Sequence, residues 1–139
     1  MKGLFVDTAG WMACADAGDS SHALACEARD SALQQGVLLV TTDYVMDETL
    51  TIIRMRLGLP AAKAWWGQVE GSSRLRWEWI GMERAEKARK AFFRYRDKNY
   101  SFTDCTSLVV MQELRLKQAL TTDRHFRQMG FQVLPHSAE

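Results

Sequence analysis

Four acidic residues in this sequence have the type and placement for metal-assisted chemistry on phosphate esters: Asp7, Glu48, Asp104 and Asp123. Each follows a predicted strand or lies near the beginning of a predicted helix. Four carboxylates brought close together repel one another and resist ionisation unless a cation lies between them. Hard cations such as Mg²⁺ and Mn²⁺ prefer oxygen ligands and retain waters and a substrate phosphate. Such a site activates water and neutralises charge on a phosphodiester.

Each acid also has an ordinary structural interpretation. Asp7 follows an apolar run directly, and Asp123 follows another, so both are placed to cap helices. Asp104 ends the segment Ser101-Phe-Thr-Asp104, whose spacing fits a capping box. Glu48 lies at the margin of an apolar helical stripe, where a glutamate is commonly solvated. Taken singly, each acid is better explained by structure, and it is their combination that indicates chemistry.

The elements that must position these acids alternate along the chain. Short apolar runs predict strands over residues 3–7, 37–40, 75–80, 119–121 and 131–134. Helical periodicity and caps predict helices over residues 8–16, 19–35, 43–57, 61–70, 83–96, 103–114 and 124–129. The third of these helices should be terminated by Gly58 and Pro60.

Strands separated by helices at this spacing predict an α/β fold with a mainly parallel sheet and helices on both faces. Ligands in such folds bind at the carboxyl ends of the strands. Asp7 closes the first strand and Asp123 follows the fourth, so the two should meet at one rim. Asp104 begins a stripe with Leu108 and Met111, which points its carboxylate inward.

Length and composition favour one soluble domain spanning residues 1–139. Hydrophobic residues make up 47% and charged residues 25%, and the net charge is +1, so a nucleic-acid surface must arise from local clustering. No apolar run approaches the ~18 residues of a membrane span. The three cysteines are odd in number and lack C-x-x-C spacing, which predicts reduced thiols in a cytoplasmic protein.

Basic residues are concentrated between positions 84 and 98. We expect Arg94, Arg96 and Lys98 to contact RNA phosphates beside the metal site. The alternative is a solvated helix face with ion pairs such as Glu86–Lys90.

Aromatic residues and histidines also have both a functional and a structural interpretation. Tryptophans stack on bases in some proteins, but at this spacing they more often belong to a core or an interface; the candidates are Trp65, Trp66, Trp77 and Trp79. The histidines have no metal-ligand spacing, and we expect all three to be non-catalytic: His22, His125 and His136.

The segments around the acids form an ordered set of motifs. They are Phe5-Val-Asp7-Thr8, Asp43-Tyr-Val-Met-Asp-Glu48-Thr49, Tyr100-Ser-Phe-Thr-Asp104-Cys-Thr-Ser107, and Leu120-Thr-Thr-Asp123-Arg-His-Phe126 with Gly130-Phe131. This set resembles the PIN-domain nucleases, and within them the VapC-type toxins of bacterial toxin–antitoxin pairs. The resemblance extends from about Gly3 to about Leu134.

The resemblance implies a PIN-like three-layer sandwich and an Mg²⁺- or Mn²⁺-dependent endoribonuclease that leaves a 5′-phosphate and a 3′-hydroxyl. Asp7 and Asp104 would be the most direct metal ligands, with Glu48 and Asp123 completing the pocket directly or through water. Thr8 matches the small hydroxyl residue after the first acid and is expected to contact RNA. A homodimer is also implied, as is a small antitoxin that blocks the site with a basic side chain.

Two other functions fit the sequence less well. A non-catalytic RNA- or protein-binding module of the same fold would normally lack one of the acids, and none is missing here. A phosphatase with an aspartyl nucleophile is disfavoured because Asp7-Thr8-Ala9 has no second acid two residues on.

Overall fold

The computed structural model describes residues 2–136, where strands and helices alternate in the predicted order. The strands are β1 (Gly3–Val6), β2 (Leu38–Thr42), β3 (Leu75–Glu78), β4 (Gln118–Leu120) and β5 (Gln132–Leu134). The helices are α1 (Thr8–Ala15), α2 (His22–Gln34), α3 (Asp43–Leu57), α4 (Leu59–Glu70), α5 (Gly81–Arg94), α6 (Phe102–Glu113) and α7 (His125–Gln128). The prediction of one domain over residues 1–139 extends beyond the described range and stays a prediction.

All strand pairs in the sheet are parallel, and the strand order is β3-β2-β1-β4-β5. The chain adds β2 and β3 on one side of β1 and then crosses over to add β4 and β5 on the other. Because parallel crossovers are right-handed, this reversal puts helices on both faces of the sheet. The predicted three-layer α/β arrangement is therefore confirmed. The reversal also creates a crevice between the carboxyl ends of β1 and β4, which is where such folds bind ligands.

The core fixes the two strands that flank this crevice. Leu4, Phe5 and Val6 of β1 are fully buried, and the Phe5 ring lies 6.1 Å from that of Phe126 in α7. Gly10 lets α1 pack directly on the end of β4, since a Cβ at this position would lie 2.0 Å from the Leu120 carbonyl oxygen. The first turn of α1 is therefore held against the end of β4.

Two predicted boundaries are wrong in ways that matter. Gly58, at φ +98°, ends α3 without help from Pro60, which lies in the first turn of α4, where a missing N–H is tolerated. Helix α5 spans Gly81–Arg94, not 83–96, so Arg96 and Lys98 lie in the loop before α6. Among residues 2–136 no helix combines the length and apolarity needed to cross a bilayer.

Candidate active site

A pocket of about 340 Å³ lies at the crevice between β1 and β4. All of the predicted acids line it: Asp7, Glu48, Asp104 and Asp123. They arrive from separate elements, because Asp7 follows β1, Glu48 lies in α3, Asp104 lies in the first turn of α6 and Asp123 follows β4. A further carboxylate in the lining, Asp19 between α1 and α2, was not predicted.

Asp7 is the buried acid of the pocket, with 6% of its surface exposed. Its Oδ1 accepts a hydrogen bond of 2.8 Å from the Gly10 N–H and so caps α1, while its Oδ2 accepts one of 2.8 Å from the Thr121 hydroxyl. Burial raises the pKa of Asp7 from 3.8 to about 7; the two hydrogen bonds oppose this rise, and the charges of Asp123 and Asp104 add to it. A proton or a cation is therefore needed near Asp7 at neutral pH.

Asp104 is held in position by the cap of its own helix. The Ser101 hydroxyl accepts from the Asp104 N–H at 2.9 Å, and Asp104 Oδ2 accepts from the Ser101 N–H at 3.0 Å, which completes the predicted capping box. The same Oδ2 lies 2.8 Å from His125 Nδ1. Fixed from two sides, this carboxylate has little freedom to turn.

Asp123 and His125 form the third part of the acidic cluster. The Asp123 N–H donates to the Thr121 hydroxyl at 2.9 Å, and Asp123 Oδ1 accepts from the His125 N–H at 2.9 Å. His125 Nδ1 lies 3.3 Å from the same Oδ1. One ligand atom each from Asp104, Asp123 and His125 falls within 4.8 Å of the others. His125, expected to be non-catalytic, is thus a lining residue in contact with two of the acids.

Glu48 and Thr8 complete the predicted set. Glu48 is half-buried and lines the pocket from α3. Thr8 also lines the pocket and is buried, with its hydroxyl 3.3 Å from that of Thr49. The pocket therefore contains every predicted residue of the acidic quartet together with Thr8.

The donor set suits a hard divalent cation. Carboxylate oxygens from several elements, with at most one imidazole, match the preferences of Mg²⁺ and Mn²⁺. Ser107, one turn beyond Asp104, also lines the pocket; it is 1% exposed and its hydroxyl has no partner among the described residues. A buried hydroxyl left without a partner costs about 1–3 kcal/mol, a cost that a water or ligand oxygen in the pocket would remove. Among residues 2–136, Asp104, Asp123 and His125 have ligand atoms close enough together to hold one ion. Asp7 and Glu48 line the same pocket outside that group. The pocket therefore fits a metal ion held by Asp104 and Asp123, with Asp7 and Glu48 nearby.

The predicted RNA-binding cations lie elsewhere. Arg94, Arg96 and Lys98 are exposed, and none of the three is a lining residue of the pocket. Earlier in α5, Arg84 and Lys87 both pair with Glu113, so part of the basic cluster joins α5 to α6. On the exposed face of α5, Glu86 pairs with Arg89, one residue from the Lys90 of the alternative interpretation.

The four tryptophans also lie outside the pocket lining. Trp65 is buried and packs against Trp11 at 5.6 Å, so it is a core residue. Trp77 stacks on Trp79 at 6.2 Å, and Trp79 remains 69% exposed. Base stacking therefore stays a prediction only for Trp79, whose side chain is exposed.

Comparisons with known proteins point to one family and one fold. A family model described as PIN domain matches residues 4–132. A protein of Mycobacterium tuberculosis (strain CDC 1551 / Oshkosh) named 23S rRNA-specific endonuclease VapC20 is 32% identical over 128 residues, covering 92% of this chain and 95% of that protein. Ribonuclease VapC26 of M. tuberculosis (strain ATCC 25618 / H37Rv) is 29% identical over 141 residues, covering 95% of this chain and 100% of that protein. The crystal structure of M. tuberculosis VapC20, described as a sarcin-ricin loop cleaving toxin, matches with a TM-score of 0.82 and 31% identity over 92% of this chain and 95% of that chain.

Proposed function

The chain belongs to the PIN-domain family, and on that premise we propose that it is a metal-dependent endoribonuclease, the toxin of a bacterial toxin–antitoxin pair. The observation that carries the proposal is the single pocket lined by Asp7, Glu48, Asp104 and Asp123, which come from both ends and the middle of the chain. The names of the relatives, an endonuclease specific for 23S rRNA and a ribonuclease, support RNA as the substrate class.

In the proposed site, Asp7 and Asp104 are the most direct ligands of Mg²⁺ or Mn²⁺, and Asp123 and Glu48 bind directly or through water. When bound, the ion supplies a water of lowered pKa and neutralises charge on the phosphodiester. His125 holds Asp104 and Asp123 in one arrangement through its Nδ1. The carboxylates are thereby fixed before the substrate arrives.

The proposed reaction is hydrolysis of an RNA phosphodiester. The oxygen of a water molecule attacks phosphorus, the bond to the 3′ oxygen breaks, and one proton of the water ends on that oxygen. The products are a 5′-phosphate and a 3′-hydroxyl. Glu48 and Asp123 orient the attacking water.

Ion binding is expected to release a proton from Asp7. With its pKa at about 7, this carboxyl is partly protonated at neutral pH, and only the ionised form binds a metal. The affinity for Mg²⁺ or Mn²⁺ should therefore rise with pH through neutrality.

Partners follow from the family. The proposed antitoxin is a small protein that places a basic side chain against the carboxylates of the pocket, and the toxin is proposed to be a homodimer that acts in the cytoplasm. Co-expression of a neighbouring short open reading frame, followed by purification of a complex that no longer cleaves RNA, tests the first of these proposals. Size-exclusion chromatography with light scattering tests the second.

Exposed cations outside the pocket are proposed to help in holding RNA. Reversing Arg94 and Arg96 to Glu should weaken RNA binding and flatten its salt dependence, because lost phosphate contacts release fewer counterions. Unchanged RNA binding would contradict this proposal and favour the alternative interpretation, in which these side chains only form a solvated surface.

The central test is cleavage of single-stranded RNA by the purified chain, with Mg²⁺ or Mn²⁺ and with EDTA. We expect cleavage that disappears in EDTA and in Asp7→Asn and Asp104→Asn, and that persists in Asp47→Asn, which alters an exposed acid of α3 outside the pocket. RNA binding without any cleavage would contradict the proposal and favour a non-catalytic module.

A further inference from the structure

One cation lies among the acids of the pocket and has no role in the proposed reaction. Arg56 is the only arginine or lysine among the described residues that line the pocket. The carboxylates around it are Asp7, Asp19, Glu48, Asp104 and Asp123. A pocket so rich in negative charge repels RNA, so a cation in its lining bears directly on how an RNA strand is held.

The position of Arg56 is set by the periodicity of α3. Glu48, Ile52 and Arg56 follow one another at intervals of four residues and all line the pocket, so they form one stripe along the helix. With a rise of about 1.5 Å per residue, Arg56 lies roughly 12 Å along the axis from Glu48. The stripe thus runs from an acid at the metal end, across an apolar residue, to a base.

The guanidinium of Arg56 is available for a ligand. It is exposed, and no carboxylate among residues 2–136 pairs with it. Arg84 shows the contrast, because its donors are taken by Glu78, Glu113 and the Trp79 carbonyl. A free guanidinium presents a planar set of donors that matches two phosphate oxygens at once.

A helix-stabilising role does not single out Arg56. Arg54 and Arg56 both lie in the last turn of α3, where cations interact favourably with the helix dipole. Arg54 is exposed and does not line the pocket. An interaction with the helix dipole therefore does not require a place in the pocket. What distinguishes Arg56 from Arg54 is its place in the pocket.

We propose that α3 forms a subsite for the nucleotide next to the cleaved bond. Arg56 binds the phosphodiester that flanks the cleaved one, and Ile52 supports the sugar or base between them. This inference rests on the proposed endoribonuclease function. It adds the direction of the bound RNA, because the single strand then runs along α3 away from the metal site. Arg56 is then a binding residue for substrate and takes no part in the bond-breaking step.

The test compares Arg56→Gln with Arg54→Gln as the matched control. Binding of a fluorescent single-stranded RNA is measured by anisotropy in EDTA over a series of salt concentrations, which needs no catalysis. We expect Arg56→Gln to weaken binding about 5- to 10-fold and to reduce the slope of log K against log salt by about 0.7, the value for one lost phosphate contact on a single strand. Arg54→Gln should bind like the wild type, and Arg56→Lys should recover most of the slope because it keeps the charge.

Kinetic measurements then distinguish a contact of Arg56 with the flanking phosphate from a contact with the cleaved phosphate. On RNA with Mn²⁺, Arg56→Gln should raise KM and leave kcat nearly unchanged, as expected for lost uniform binding. Bis(p-nitrophenyl) phosphate has no flanking phosphate, so Arg56→Gln should lose much less activity on it than on RNA. Thermal melts of both variants check that the fold is retained.

Two results would overturn the inference. One is an Arg56→Gln protein with the RNA affinity and salt slope of Arg54→Gln; the other is an equal loss of activity on RNA and on the small diester, which would place Arg56 at the cleaved phosphate. Failure of the proposed function looks different, since a wild-type chain that cleaves neither substrate would contradict it while the binding comparison in EDTA still decides the role of Arg56.

Discussion

Asp7→Asn should stabilise the metal-free protein at alkaline pH while abolishing its activity. The carboxyl is buried and its pKa is raised from 3.8 to about 7, mainly by burial. Asparagine is about as good an N-cap as aspartate, so its side-chain oxygen can still accept from the Gly10 N–H. The Thr121 hydroxyl can turn to accept from the new amide. The substitution therefore removes a buried charge and keeps the hydrogen bonds around it.

The magnitude and its sign follow from proton linkage. The native state binds the Asp7 proton more tightly than the unfolded state, so its free energy of unfolding falls as pH rises from about 4 to about 7 and then levels off. The full shift corresponds to about 4 kcal/mol. Between pH 5 and pH 8 the wild type should lose about 2 to 3 kcal/mol relative to Asp7→Asn, which for a chain of this size is roughly 5 to 10 °C in Tm.

The assay is thermal or urea unfolding of both proteins in EDTA from pH 5 to pH 8, with the exposed substitution Asp47→Asn as control. The difference between wild type and Asp7→Asn is the quantity compared, because the titration of groups far from residue 7 cancels in it. Adding Mn²⁺ at 100 times its Kd should return about 2.7 kcal/mol to the wild type at pH 8 and much less to Asp7→Asn. A difference that stays constant across this pH range, or a less stable Asp7→Asn at pH 8, would refute the reasoning.

Three further predictions concern single positions. Gly10→Ala should cost about 3 kcal/mol or more in urea unfolding, because its Cβ would lie 2.0 Å from the Leu120 carbonyl oxygen; wild-type stability would show that α1 can move. Gly67→Ala in α4 should add up to about 1 kcal/mol, since its Cβ meets nothing within 4 Å; a loss of stability there would contradict this geometry. Ser107→Ala should leave the Tm in EDTA unchanged or slightly higher and weaken Mn²⁺ binding measured by calorimetry, and unchanged Mn²⁺ affinity would exclude a role for the hydroxyl at the ion.

The acidic pocket was predictable because its position depends on topology alone. Asp7 directly follows β1, Asp123 lies three residues after the end of β4, and parallel strands bring their carboxyl ends to one edge whatever the details of packing. The inward orientation of Asp104 followed from its stripe with Leu108 and Met111. Predictions of this kind need only the order of the elements and the periods of strand and helix.

Residues that reach the pocket by local geometry were harder to predict. His125 lies two residues after Asp123, but ligand spacing rules look for repeats along one element and do not detect a contact between α7 and α6. Arg56 carried a usable signal, since it lies two helical turns from Glu48, whereas Asp19 lies between helices, where no periodicity indicates a direction. The predicted end of α5 was wrong for a similar reason. Charged residues continue past Arg94, but the helix ends there.

The capping role and the proposed metal-binding role of these acids are compatible, because the contacts that cap the helices also orient the carboxylates. Asp7 caps α1, Asp104 closes its capping box, and Asp123 accepts from the first N–H of α7. In each of these contacts a backbone N–H near the start of a helix orients the carboxylate, and the Thr121 hydroxyl and His125 Nδ1 add a second contact to Asp7 and Asp104. The same donors partly offset the burial of Asp7, which lets an acid with a raised pKa remain next to Asp104 and Asp123. Helix N-termini at this edge of the sheet thus help to hold three negative charges close together, which is the arrangement that the proposed metal ion would neutralise.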